Sequence, residues 1–164
     1  MIRIVGVGSP FGDDAAGLEA ARRLADQPPA ESDVVLADRP GLALVNLLRT
    51  ASAAIVIDSV HSSRVPGTVH DLDLAEVARL AGRRLTSHDS SLPEALALAE
   101  ALGHMPGGRF LGIEIGGSDV ASAEGGLTAA VERGVLEATA RARRWAAVLI
   151  RQLREAERSS RRPA

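Results

Sequence analysis

The feature that most constrains this fold is the regular alternation of short apolar runs with segments of helical periodicity. Runs of four to eight apolar residues predict buried strands, which occur here at residues 2–8, 33–37, 53–57 and 109–115. Helical periodicity is found between and after them, at residues 14–25, 42–50, 74–81, 91–102 and 128–155. Strands separated by helices form a mostly parallel sheet with helices on both faces, so the sequence predicts an α/β protein.

The remaining segments complete this prediction. Residues 68–72 alternate between apolar and polar side chains, which is typical of a half-exposed strand in a hairpin. Ser91 and Glu94 form a capping box at one helix start, and Thr128 is the predicted N-cap of the last helix. With no linker or internal repeat, we expect a single domain over residues 1–157, followed by a disordered Arg-rich tail at 158–164.

The composition excludes several classes of function. Cysteine and lysine are both absent, which rules out thiol chemistry, Cys-ligated metals, Schiff bases and a Walker P-loop. The net charge of −2 and the scarcity of aromatic residues argue against a nucleic-acid partner. No apolar run reaches the roughly 18 residues of a membrane helix. We therefore expect a cytoplasmic protein without membrane insertion.

The candidate functional residues follow the predicted strands. Ligands of such sheets bind outside the carboxyl ends of the strands, where Asp14, Asp58 and His88 are expected. Each also has a structural alternative, since an Asp often caps a helix and a loop His often only forms hydrogen bonds. His88 lies just before a helix start, which favours the neutral imidazole that metal binding requires. Two carboxylates and one imidazole suit a divalent transition metal.

Other residues near this edge give weaker signals. Asp38 and His61 also follow strands, whereas His70 within a strand and His104 after a helix are expected to be structural. Gly6-Val7-Gly8 suggests a dinucleotide site, but the next glycine comes one position late and two acidic residues follow it. A tight turn with acidic capping explains this segment better. Neither HExxH nor GxSxG is present.

Four short motifs together resemble the hydrogenase maturation endopeptidases, which trim the C-terminus of the large subunit of nickel–iron hydrogenases. In chain order they are residues 4–17 (IVGVGSPFGDDAAG), 56–60 with 66–68, 86–89 (TSHD), and 111–114 with 127–128. Each motif is weak alone, but their order and spacing are fairly specific, and the resemblance covers nearly the whole chain. Ser9, Ala15 and the turn at residues 38–41 depart from the family pattern, which concerns substrate identity more than fold.

The resemblance implies a three-layer α/β/α fold with a central, mostly parallel twisted sheet, of the phosphorylase/hydrogenase-maturation-protease type. It also implies that Asp14, Asp58 and His88 are both the catalytic residues and the metal contacts. The metal would be nickel supplied by the substrate, although another divalent ion could occupy the site. The implied partner is the precursor of the large subunit.

The function expected from this resemblance is that of a nickel-dependent endopeptidase. It would remove a C-terminal extension from the nickel-loaded large subunit during hydrogenase maturation. Three alternatives stay open at this point: a metallohydrolase of the same fold with another peptide substrate, a noncatalytic assembly chaperone that recognises the nickel-loaded precursor, and a nucleotide-binding protein.

Overall fold

A single five-stranded sheet organises the chain in the computed structural model, which describes residues 1–82, 92–116 and 126–160. Its strands are β1 (Ile2–Gly8), β2 (Ser32–Asp38), β3 (Ala53–Val60), β4 (Val69–Asp73) and β5 (Gly107–Glu114). In space their order is β2-β1-β3-β5-β4, and only the edge strand β4 is antiparallel to its neighbour. The prediction of a mostly parallel sheet is therefore confirmed.

Helices cover both faces of this sheet. They are α1 (Ala16–Asp26), α2 (Leu44–Arg49), α3 (Leu74–Ala78), α4 (Leu92–Ala101) and α5 (Ala129–Ser160). Helices α1 and α5 pack on one face, and α2, α3 and α4 pack on the other. This arrangement confirms the three-layer prediction.

The central strand β3 shows why its sequence is apolar without interruption. Ile55 and Ile57 face the α1/α5 side, while Ala54 and Val56 face the other helices. Alternate side chains of a strand point to opposite faces, so a strand covered on both sides buries all of them. Removing this apolar surface from water is the main stabilisation of the fold.

Several element boundaries differ from the sequence prediction. A 3-10 turn (Gly12–Ala15) precedes α1, so the predicted helix starts two residues later than expected. Helix α5 continues to Ser160, three residues into the predicted disordered tail, and the hydroxyl of Ser160 donates to the Glu157 carbonyl at 2.9 Å. Residues 161–164 lie outside the described residues, as does Ser91 of the predicted capping box. None of the helices within the described ranges is long and apolar enough to cross a bilayer.

Gly17 allows α1 to lie directly against the carboxyl ends of β1 and β3. A Cβ atom at this position would come within 2.1 Å of the Val7 carbonyl oxygen and 2.4 Å of the Ile57 carbonyl oxygen. Both neighbours are backbone atoms of central strands, which cannot move aside easily. Any side chain at residue 17 would therefore force α1 away from the edge of the sheet.

Gly17→Ala is expected to lower the free energy of unfolding by about 3 kcal/mol or more, because overpacking against backbone displaces a helix. Urea denaturation measures this loss. Gly107→Ala is a matched control, since a Cβ there would meet nothing within 4 Å, and its effect should stay within about 0.5 kcal/mol. Equal stability of the two variants would contradict the close approach at Gly17.

Candidate functional site

Asp58 lies near the carboxyl end of β3, where its side chain is half-buried. Its Oδ1 accepts a hydrogen bond from the backbone N–H of Ser59 at 2.8 Å. Burial raises the pKa of Asp58 from its ordinary value of 3.8 to about 7; the bond from Ser59 opposes this shift and the negative charge of Asp14 adds to it. A carboxyl with such a pKa gains and loses its proton near neutral pH.

Asp14 lies in the 3-10 turn that follows β1, and its side chain is exposed. Its Oδ2 accepts the backbone N–H of Ser9 at 3.1 Å, and its Oδ1 accepts the hydroxyl of Ser59 at 2.9 Å. These two bonds connect the carboxylate to the residue after β1 and to β3. Asp14 is thereby fixed at the same edge of the sheet as Asp58.

Ser59 connects the two carboxylates. Its N–H donates to Asp58 while its hydroxyl donates to Asp14, so a single residue orients both acidic groups. Ser59 follows Asp58 directly in the second motif, but no role of its own was predicted for it from the sequence. Its position beside a predicted site residue was the only available signal.

The third predicted site residue, His88, lies outside the described residues, within the segment 83–91. Its convergence with Asp14 and Asp58 therefore stays a prediction. Within the described part of the chain, no group of three or more His, Asp or Glu side chains is arranged to hold a metal ion. The described site consequently consists of two carboxylates and the serine that links them.

The side chain of Asp13 has different hydrogen-bond partners from that of Asp14. Its carboxylate accepts the backbone N–H of Thr128 at 2.6 Å and the Thr128 hydroxyl at 3.0 Å. Thr128 in turn caps α5, because its Oγ1 accepts the N–H of Val131 at 3.4 Å, as predicted. Asp13 thus ties the first motif to the start of α5, whereas Asp14 is directed toward Ser59.

The residues with weaker sequence signals are not part of the Asp14–Asp58 pair. Asp38 is exposed at the end of β2 and pairs with Arg39, whose Nε donates to it at 2.9 Å. His61 follows β3 by one residue. His70 lies on β4 and its Nε2 contacts a carboxylate oxygen of Glu114 at 2.9 Å, in agreement with the expected structural role.

Ser62, His70 and Glu114 have the composition of a catalytic triad but not its geometry. In a triad, the serine and the acid contact different ring nitrogens of the histidine. Here Ser62 Oγ and Glu114 Oε2 both contact Nε2 of His70, at 3.2 and 2.9 Å. The serine hydroxyl also lies 2.6 Å from Glu114 Oε2, to which it donates. The nitrogen that would accept the serine proton is already paired, so this group does not form a serine nucleophile.

The Asp14–Asp58 pair fits a cation. Two acidic oxygen donors lie at one edge of the sheet, and their mutual repulsion contributes to the raised pKa of Asp58. A positive ion between them would relieve that repulsion, and oxygen donors are suitable ligands for divalent ions.

Comparison with known proteins places this chain in a family. A family model described as hydrogenase maturation protease (HycI) matches residues 19–145. The hydrogenase expression/formation protein HupD of Thiocapsa roseopersicina is 32% identical over 109 residues, covering 64% of this chain and 49% of that protein. The match thus spans about half the length of this curated relative.

Solved structures share the fold. The hydrogenase maturating endopeptidase HybD of Escherichia coli superimposes with a TM-score of 0.70 at 23% identity, covering 86% of this chain and 88% of that one. A hydrogenase 2 maturation peptidase from a Thaumarchaeota archaeon gives a TM-score of 0.60 at 25% identity, covering 86% and 94%. Because the family model alone matches well over half of the residues, the chain belongs to the hydrogenase maturation protease family.

Proposed function

We propose that this chain is an endopeptidase that removes a C-terminal extension from the nickel-loaded large-subunit precursor of a nickel–iron hydrogenase. The observation that carries the proposal is the pairing of Asp14 and Asp58 through Ser59 at the carboxyl edge of the sheet. Membership of a protease family supports the reaction class, and the name of the HupD relative supports a hydrogenase partner.

Nickel belongs to the substrate in this proposal, because the precursor carries it to the site. Asp14 and Asp58 would contact the ion through carboxylate oxygens, and His88 would supply the third contact. Held there, nickel would act as a Lewis acid toward the scissile carbonyl or a water molecule. A cleavage site completed only by the loaded precursor would make processing depend on correct nickel insertion.

The chain's own residues prepare the site for this event. Ser59 holds both carboxylates in place before the substrate arrives, which reduces the reorganisation that binding requires. With its pKa of about 7, Asp58 can give up its proton near neutral pH when a cation approaches. Gly17 keeps α1 against the strand ends that carry this pair.

Nickel dependence is tested with two preparations of one precursor, nickel-loaded and nickel-free. The purified chain should shorten the loaded precursor and leave the nickel-free precursor intact, as measured by intact-protein mass. Equal cleavage of both would contradict the role given to nickel. Binding of the loaded precursor without any change in its length would favour the assembly-chaperone alternative instead.

His88→Ala should lower the rate of precursor cleavage by at least about 100-fold, because loss of a metal contact removes Lewis-acid activation. His104→Ala is the matched control, since His104 lies after α4 and before β5, away from the carboxyl strand ends. The assay follows the shortened precursor over time. If His88→Ala cleaves as fast as the control variant, His88 is not part of the site.

The cytoplasmic location expected from the sequence stays a prediction.

A further inference from the structure

Glu114, at the end of β5, is an almost completely buried carboxylate with only 1% of its surface exposed. Burial of a charged group is costly unless hydrogen bonds and opposite charges compensate for it. Glu114 lies opposite Val60, two residues beyond Asp58 on β3. Its partners should therefore show what this buried group holds in place.

The carboxylate of Glu114 holds the first half of the segment between β3 and β4. We call residues 61–68 the β3–β4 loop. Glu114 accepts the N–H of Ser62 at 2.7 Å, the Ser62 hydroxyl at 2.6 Å and the N–H of Arg64 at 3.3 Å, and it also contacts His70 Nε2 at 2.9 Å. Burial acts to raise the pKa of Glu114, but these hydrogen bonds outweigh it and the pKa is lowered.

The backbone of Glu114 holds the second half of the same loop. Its carbonyl accepts the N–H of Gly67 at 2.8 Å, and its N–H donates to the carbonyl of Thr68 at 2.8 Å. Between these anchors, Ser63 has a φ of 63°, in the left-handed region that few non-glycine residues adopt. One buried residue thus anchors both halves of the loop, on either side of Ser63 and Val65.

The outer side of this fixed loop presents an apolar side chain to solvent. Val65 is 76% exposed, and Arg64 beside it is exposed as well. The loop leaves β3 at the carboxyl edge, where Asp58 and Asp14 lie. A loop that is held in place and exposes a branched apolar side chain at the same edge of the sheet as the two carboxylates has the properties of a preorganised contact for a protein substrate.

We propose that Glu114 is a positioning residue that holds the β3–β4 loop so that Val65 contacts an apolar surface of the precursor protein beside the cleavage site. This inference rests on the proposed function. Preorganisation lowers the cost of ordering the loop on binding, so its loss should weaken substrate binding more than the chemical step.

The test is a double-mutant cycle with the nickel-loaded precursor as substrate. Glu114→Ala and Val65→Ala should each raise KM about tenfold while kcat stays within about twofold. The double variant should be no worse than Glu114→Ala alone, because a loop that has lost its anchor no longer presents Val65. Leu136→Ala is the matched control, since Leu136 is 52% exposed on α5, and its KM should be unchanged.

A purely structural role for Glu114 would give different results. It would reduce the active fraction and hence the apparent kcat, and its effect would add to that of Val65→Ala. Additive effects, or an unchanged KM for Val65→Ala, would overturn the inference. Glu114→Gln replaces Glu114→Ala if that variant does not fold, and its smaller loss of acceptor capacity should give an intermediate KM. If the wild-type chain does not shorten the precursor at all, the proposed function itself fails; cleavage with an additive cycle would reject only the present inference.

Discussion

Asp58→Asn is expected to give a protein that is more stable at about pH 8 and inactive in precursor cleavage. The folded pKa of Asp58 is about 7, above its ordinary value of 3.8, so the folded state holds this proton more tightly than the unfolded state. Its contribution to stability is fully present below the ordinary pKa and is lost as the pH rises through about 7. At about pH 8 the half-buried carboxylate of Asp58 therefore destabilises the fold.

The asparagine side chain removes this pH-dependent cost while keeping an oxygen that can accept the N–H of Ser59. We expect the metal-free variant to exceed the wild type by about 2 kcal/mol at about pH 8, a value reduced for partial solvent exposure, and by much less at about pH 4. Urea denaturation at both pH values, with chelator present, measures the difference. Asp26→Asn, on the exposed end of α1, should change stability by less than about 0.5 kcal/mol at either pH.

A variant that is more stable but no longer cleaves the precursor is typical of a residue that activity requires although it destabilises the fold. If Asp58→Asn is instead less stable than the wild type at about pH 8, the carboxylate is not destabilising there. Burial would then not raise the pKa of Asp58 in the folded state.

Asp14→Asn and Asp13→Asn should have opposite effects although the residues are adjacent. Asp14→Asn should reduce precursor cleavage by at least about 100-fold, because it removes an ionic oxygen donor from the site. Its stability should change little, because Asp14 is exposed and water can replace a hydrogen bond that the amide does not accept. Asp13→Asn should leave cleavage within about threefold of the wild type but cost about 1–2 kcal/mol of stability. The loss arises because an amide cannot accept both Thr128 hydrogen bonds as the carboxylate does.

Each variant serves as the control for the other, since charge and volume change identically at neighbouring positions. Cleavage rate and urea denaturation are measured on the same preparations. Equal activity of the two variants would refute the division of roles between them. A large stability loss in Asp14→Asn would indicate that its bonds to Ser9 and Ser59 are mainly structural.

The sequence was sufficient for the layers of the fold because its strands are buried on both faces. Such strands have continuous apolar runs, as in residues 53–57, and the helices between them fix a parallel order. It was also sufficient to place Asp14 and Asp58 at one edge, since Asp14 follows β1 and Asp58 lies near the carboxyl end of the adjacent parallel strand β3. Element ends were less predictable, because the 3-10 turn at Gly12–Ala15 depends on contacts with the strand ends.

The roles of Ser59, Asp13 and Glu114 could not be predicted from the sequence. Each depends on a partner that is distant in the chain or on a backbone direction that only the folded turn defines. Ser59 meets Asp14 across 45 positions, Asp13 meets Thr128 across 115, and Glu114 meets Ser62 across 52. Local propensity carries no information about such pairs. For Glu114 the information lies in the register of β3 and β5, which places it beside the β3–β4 loop.

Endopeptidase activity at the Asp14–Asp58 site is tested by the mass of the nickel-loaded large-subunit precursor after incubation with this chain. We expect one defined decrease in mass, equal to a single C-terminal peptide, with the wild-type chain and none with Asp58→Asn. An unchanged precursor mass with the wild type, or the same decrease with both proteins, would contradict it.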